Sequence, residues 1–219
     1  MARILPVDTS NHTIVKGTTV RMSYEEFLAI PEPLLAEWVD GEVTIFLPPT
    51  EEHQDALGLL AFLLRLYARI RGAGKVIMSP FEVVIRPGRS YREPDILFVA
   101  TPNLHRLSNK RLNGPPDLAI ELLSDDSVTR DRDVKLREYE AAGMPECWIF
   151  DPRSGRRASY HYRLGANGRY ESVHPDPQGR VHSTVLPGFW LKPEWLWEDP
   201  LPIETDLLEE ILGSTGTSE

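Results

Sequence analysis

The chain has 219 residues, 41% hydrophobic and 26% charged, which suits one domain with appendages and a core hiding roughly 70% of the unfolded surface. Its apolar runs fall far short of the ~20 residues that span a bilayer, and its start has no continuous apolar signal-peptide core, so neither a membrane span nor secretion is expected. A net charge of −9 leaves room for only a local basic face, and the lone Cys147 excludes an internal disulfide and fits a reducing, cytoplasmic compartment.

Residues 1–20 show no period. Ser23-Tyr24-Glu25-Glu26 has the form of a capping box, predicting a short helix that stops near Pro31 and Pro33. Residues 35–39 and 42–47 flank Asp40-Gly41, the dipeptide favoured in a type I′ hairpin turn. Thr50 then caps a long helix in which Leu57, Leu60, Ala61, Leu64 and Tyr67 recur at helical spacing, with Gly72 and Gly74 ending it. Strands are expected over 75–78, 81–86 and 95–99, followed by a polar, basic loop over 101–114. Residues 117–123 read as a strand buried on both faces, because the apolar run is continuous rather than alternating. A helix over 131–142 ends at Gly143, and a further apolar strand covers 146–151, where Cys147 reads as a small buried hydrophobe. Residues 157–163 and 169–173 form a hairpin. The Trp- and Pro-rich stretch 181–198 reads as an irregular flap, and 213–219 as a disordered tail. This order predicts an α/β or α+β domain, a mixed sheet flanked by helices.

Phosphate-binding glycine loops, H-E-x-x-H, G-x-S-x-G and paired C-x-x-C are absent, which removes nucleotide-dependent, zincin and serine-hydrolase readings. What stands out is an acid inside an apolar run: Glu121 in Leu118-Ala119-Ile120-Glu121-Leu122-Leu123. Burying a carboxylate there is costly unless it finds a cation. Side-chain alternation puts Glu121 on the face of Ala119 and Leu123. Asp95 opens the strand upstream, after Pro94, and Lys135 lies on the following helix. Two carboxylates and an ammonium at a sheet edge suit Mg²⁺-assisted phosphodiester cleavage: oxygen ligands hold the cation, the cation activates water, and the ammonium supports developing charge. The spacing alone leaves blander readings open. Asp95 could cap a turn, Glu121 and Lys135 could form a buried ion pair without catalysis, and Asp131 could bridge Lys135 at i, i+4.

Four segments in order, Pro94-Asp95, Pro116–Ser124 (P-D-L-A-I-E-L-L-S), Lys135–Tyr139 (K-L-R-E-Y) and Ala142–Pro152 (A-G-M-P-E-C-W-I-F-D-P), resemble the Uma2 family of restriction-type endonucleases within the PD-(D/E)XK superfamily, over roughly residues 22–195. The resemblance implies a nuclease-like domain over 22–198, with a lead-in at 1–21 and a tail at 199–219. It implies Asp95 and Glu121 as metal ligands for Mg²⁺ or Mn²⁺, assisted by the Leu122 carbonyl. It departs from the superfamily in its lysine: two residues after the acid stands Leu123, and the family's pattern hands that role to Lys135. Glu37 and His53 also match family positions, as a further ligand or base, and Tyr139 is expected to pack on or orient Lys135. The implied activity is endonucleolytic hydrolysis of DNA by a homodimer. Arg106, Lys110, Arg111, Arg130 and Arg132, in segments flanking the expected site, are expected to form a local basic rim. The alternative is a nuclease-fold protein that binds DNA or regulates with little catalysis.

Overall fold

The computed structural model describes residues 19–30, 36–45, 48–124 and 130–213, without the side chains of 130–132. In chain order the elements are β1 (Thr19–Arg21), α1 (Tyr24–Leu28), β2 (Ala36–Val39), β3 (Glu42–Ile45), α2 (Glu51–Arg71), β4 (Gly74–Met78), β5 (Glu82–Arg86), β6 (Ser90–Arg92), β7 (Ile96–Ala100), β8 (Arg111–Asn113), β9 (Leu118–Leu122), α3 (Arg130–Ala141), β10 (Glu146–Asp151), β11 (Ala158–Leu164), β12 (Tyr170–Val173), β13 (Val181–His182), β14 (Trp190–Leu191) and α4 (Glu204–Gly213). The predicted caps are present. Ser23 and Glu26 close a reciprocal capping box, and the Thr50 hydroxyl accepts the His53 amide at 3.3 Å. Gly72 ends α2 in the left-handed conformation. The β2–β3 turn has positive φ at both Asp40 and Gly41, as a type I′ turn requires.

In place of the expected single sheet, the described residues form a two-stranded β13–β14 ribbon and two six-stranded sheets. One runs β1-β3-β2-β6-β5-β8 and the other β12-β11-β10-β9-β7-β4, both of mixed direction, with parallel pairing at β5–β8 and β9–β10. The longer strands were legible from their composition, while the short β1, β6, β8, β13 and β14 were not, and partner choice depends on contacts far apart in the chain. Strand alternation divides the second sheet's side chains between two cores. Ile96, Phe98, Ile120, Leu122, Trp148 and Phe150 face α2. Leu97, Val99, Ala119, Leu123, Cys147 and Ile149 face Tyr139 of α3 together with Val83, Ile85 and Leu112 of the first sheet. Because both its faces are covered, β9 is buried throughout, which explains its unbroken apolar run.

Three segments differ from expectation. The basic stretch after β7 contains a 3-10 helix at Thr101–Arg106 and the strand β8. The 181–198 stretch is part of the main core: Val181, Leu186, Phe189, Trp190 and Leu191 pack with α2, since burying large apolar side chains outweighs the irregular backbone. Residues 204–213 form α4, whose Leu207, Leu208 and Ile211 lie at helical spacing and join the same core. Residues 1–18 and 214–219, which hold most of the expected lead-in and nearly all of the segment expected to be disordered, lie outside the described residues.

Candidate active site

The β7–β9 ladder pairs Ile96 with Ile120 and Leu97 with Ala119, antiparallel. One step further, that register sets Asp95 opposite Glu121, on the face away from α2. Asp95 does not float at the strand end, because its Oδ2 accepts the Leu122 amide at 2.7 Å. Helix α3 follows β9 and packs back over this face. Its Lys135 and Tyr139, one turn apart, both reach Glu121. Lys135 Nζ is 3.0 Å from Oε2, and the Tyr139 hydroxyl donates to Oε1 at 2.6 Å. Tyr139 was expected to orient the lysine; it holds the carboxylate instead.

Glu37, on β2 of the first sheet, completes the group. Its Oε1 lies 2.9 Å from Lys135 Nζ and accepts the Glu93 amide at 3.1 Å, while Arg92 Nη1 donates to its Oε2 at 2.8 Å. Arg92 reaches on to Glu138 of α3, and Arg86 closes on Glu138 at 2.9 Å. Arg86 and Arg89 both pair with Asp40 in the hairpin turn. Charges thus alternate from the turn to the carboxylate at Glu121, tying the first sheet to α3. Pairing of this kind is what keeps buried charges tolerable. Glu37, Arg92 and Glu138 have side chains only 2%, 9% and 8% exposed.

Burial drives the Glu121 carboxyl up to about 7, and the neighbouring negative charges of Asp95 and Glu37 add to this while Lys135 opposes it. Burial alone would also raise Glu37, but Lys135 and Arg92 outweigh it and hold its carboxyl below the ordinary range. Burial pulls against the charge on Lys135, yet Glu121 and Glu37 hold its ammonium above the ordinary range. Glu93 is pushed up to about 7, first by burial and then by Glu37 and Glu82.

His53 sits in the first turn of α2, its Nε2 3.7 Å from Asp95 Oδ2, and its buried Nδ1 has no hydrogen-bond partner. All five residues singled out from the sequence, Asp95, Glu121, Lys135, Glu37 and His53, line one cavity of about 310 Å³. Cys147 is buried and lines it too, as a small hydrophobe. Asp131, the alternative partner for Lys135, lies outside the described side chains.

The donor chemistry suits a hard divalent cation. Among the described residues no three His, Cys, Asp or Glu side chains converge into a closed metal cage. Mg²⁺ does not need one, since it binds through one or two carboxylates and keeps several waters. Asp95 and Glu121, facing each other beside a cavity, are such a pair, and the raised carboxyl of Glu121 marks a site where added positive charge is favourable.

Two of the five residues of the expected basic rim are already paired. Arg106 donates to the Pro115 carbonyl at 2.9 Å and pairs with Asp117, and Arg111 lies 3.0 Å from Glu82. The side chains of Arg130 and Arg132 are outside the described residues. Sequence reasoning missed Arg92, Glu93 and Glu138. Arg92 and Glu93 immediately precede Pro94-Asp95, and Glu138 lies three residues after Lys135, so proximity to the named residues was the available signal. Their pairing spans 46 residues of chain and could not be read locally.

A family model described as Uma2, putative restriction endonuclease, matches residues 24–194. Among solved structures, the crystal structure of a putative nuclease belonging to DUF820 from Anabaena variabilis ATCC 29413 aligns with a TM-score of 0.67 and 18% identity, over 80% of this chain and 97% of that one. At that identity the likeness speaks for the fold, which is α+β and restriction-endonuclease-like. No curated protein matches the chain.

Proposed function

The chain belongs to the Uma2 family of restriction-type nucleases, and from that premise we propose that it is a Mg²⁺-dependent endonuclease hydrolysing DNA phosphodiester bonds at Asp95, Glu121 and Lys135. The observation that carries this reading is the register of β7 against β9, which brings two carboxylates together beside a cavity with a lysine 3.0 Å from one of them.

Asp95 and Glu121 offer oxygen donors to the cation, with the Leu122 carbonyl as an assistant. A bound Mg²⁺ supplies Lewis-acid polarisation of the phosphate and a more acidic water. The Leu122 amide fixes the Asp95 carboxylate, and the Tyr139 hydroxyl fixes that of Glu121. Lys135, a compact charge on the cavity wall, stabilises negative charge developing on the phosphate. Glu37 holds that ammonium from the other side, and His53 adds a nitrogen beside Asp95. Double-strand cleavage favours a homodimer. The buried single cysteine suits a cytoplasmic setting, and no helix among the described residues is long and apolar enough to cross a membrane.

One observation favours a second reading, a nuclease-fold protein that binds DNA or regulates without much catalysis: both oxygens of Glu121 are already engaged, by Lys135 and Tyr139. Incubation of supercoiled and branched DNA with Mg²⁺ or Mn²⁺ separates the two. The hydrolase nicks or cuts DNA, and Asp95→Asn and Glu121→Gln lose that activity. Intact DNA after incubation with the wild-type protein would decide for the second reading.

A further inference from the structure

The carboxylates do not lie on an open surface. They share a cavity that has further polar lining and one aliphatic wall: Leu57 of α2, Met78 and Pro80 around the β4–β5 turn, Leu136 of α3, and Ile149 of β10. A volume of about 310 Å³ is at the small end of ligand pockets, the scale of a small molecule and not of the groove-spanning contact a duplex makes. Two cavity-lining residues also carry buried polar atoms with no partner, His53 Nδ1 and Glu93 Oε2. Buried polar groups are nearly always satisfied, so such atoms at a cavity point to a ligand that brings hydrogen-bonding groups.

Charge argues in the same direction. Duplex binding draws on many phosphate contacts from a broad basic face. This chain carries −9 overall, and Arg106 and Arg111 are already paired with acids. With that balance of charge, part of the free energy for holding a nucleic acid falls to the pocket. An apolar slot with a few polar atoms is the form of site that accepts a base taken out of its stack, with unstacking costing least where the base is already unpaired.

We propose that the cavity seats one unpaired nucleotide, its base against the Leu57–Met78–Leu136 wall and its phosphate toward Asp95, Glu121 and Lys135, so that the substrate is single-stranded or locally unpaired nucleic acid and not continuous duplex. This rests on the hydrolase reading for the identity of the polymer. Base recognition is supplied by the apolar wall, and Glu93 and His53 face the base's polar edge.

The test measures binding to three labelled oligonucleotides: a single strand, a fully paired duplex, and the same duplex with one central unpaired 2-aminopurine. Binding is read by anisotropy in Ca²⁺, a hard cation with the same preference for oxygen, and strand integrity is checked on a gel. The single-stranded and bulged probes are expected to bind at least about tenfold tighter than the duplex, a difference of about 1.4 kcal/mol, with 2-aminopurine fluorescence changing on binding. Met78→Trp, at a partly exposed position on the cavity rim, is expected to abolish the preference while keeping the Mn²⁺-induced rise in melting temperature. Equal affinity for all three probes, or binding to none, overturns the proposal whether or not that variant folds. Cleavage of paired duplex as fast as unpaired DNA overturns it while leaving the hydrolase reading standing. Preferential binding in Ca²⁺ with no cleavage once Mg²⁺ or Mn²⁺ replaces it sinks the hydrolase reading alone.

Discussion

Glu121 and Glu146 are two buried acids on neighbouring parallel strands, and their surroundings could hardly differ more. Glu146 begins β10 on the α2 face. It accepts the Trp148 indole N–H at 2.8 Å, the Ser183 and Thr184 hydroxyls, and the Thr184 and Val185 amides. Every donor is neutral, most come from one loop, and together they staple the 181–198 stretch to the sheet. Burial raises the Glu146 carboxyl, and those bonds only partly offset the shift. Glu121, the second-last residue of β9, points to the other face. It meets a lysine and a phenol, stands near two other acids, and lines a cavity. A carboxylate ringed by neutral donors anchors a loop. One crowded by like charges next to open space is poised to take up a cation. Burial alone separates neither from the other.

The largest effect expected from this contrast is a double dissociation. Glu121→Gln should cut the DNA cleavage rate by about a hundredfold or more, while the melting temperature moves little, because the amide keeps the Tyr139 bond and a neutral side chain suits the site. Glu146→Ala should do the reverse. It strands several buried donors at about 1–3 kcal/mol each, so a total near 3 kcal/mol lowers the melting temperature by about 6–12 °C with turnover per folded molecule intact. Paired melting and single-turnover measurements check both. Equal thermal losses for the two variants would break the comparison.

Lys135 sharpens it. Lys135→Ala should slow cleavage by about a hundredfold yet leave Mn²⁺ binding in place, since an ammonium is not a ligand. Lys135→Arg should not fully rescue, because a planar fork cannot replace a compact charge between Glu37 and Glu121. Leu123 lines the same cavity on the face of Glu121, so Leu123→Lys combined with Lys135→Ala is expected to recover part of the rate. A purely structural lysine predicts a stability loss and no change in rate per folded molecule. A folded, Mn²⁺-binding Lys135→Ala protein cleaving at the wild-type rate would remove Lys135 from the chemistry.

Much of this was readable in the chain. Local signals announced the capping box at Ser23, the Asp40-Gly41 turn, the Thr50 cap and the buried run around Glu121, because each depends on neighbours a few residues away. The placement of Asp95 opposite Glu121 followed from strand order once the two strands paired. Harder to see was β6, three residues long and ending in a buried arginine. Arg92 gave no local sign of burial, because its two acidic partners lie 55 and 46 residues away, on another strand and on a helix. Glu146 passed as one more strand residue for the same reason, since its donors arrive from 37–39 residues downstream. Roles set by distant partners leave no local pattern.

The poised state of Glu121 has a thermodynamic signature. Its folded carboxyl is raised to about 7 from an ordinary value near 4.5, so its contribution to stability is complete below about 4.5 and is lost as pH rises toward 7. A divalent cation should restore that loss in the upper part of the window, by about 2.7 kcal/mol at a hundred times its dissociation constant. Melting curves at pH 7.5 with and without Mn²⁺ are expected to separate in the wild-type protein and coincide in Glu121→Gln. A Mn²⁺ response undiminished in Glu121→Gln would place the cation elsewhere.

The smallest expected effect belongs to His161, on the Glu146 side of the sheet. Its ring packs edge-on against Trp148 and Phe150, each centroid 5.4 Å away, and its buried Nε2 has no partner. Burial lowers its pKa to about 4 from 6.5, because the imidazolium would sit among apolar rings with nothing to solvate it. The unfolded chain therefore binds a proton that the folded chain refuses. The stability this gives the fold is complete above about 6.5 and drains away as pH falls to about 4, by at most about 1.4 kcal/mol per pH unit. That slope runs opposite to the one Glu121 contributes, so the two partly cancel in the wild-type protein and must be separated by substitution. His161→Gln, which cannot protonate, is expected to remove the acid-side loss and leave the Mn²⁺ response at pH 7.5 unchanged. Chemical denaturation from pH 4.5 to 6.5 in the wild-type and variant proteins reads the difference directly. Parallel curves would mean that His161 is protonated in the folded state, and that this face of the sheet is less dry than its aromatic packing implies.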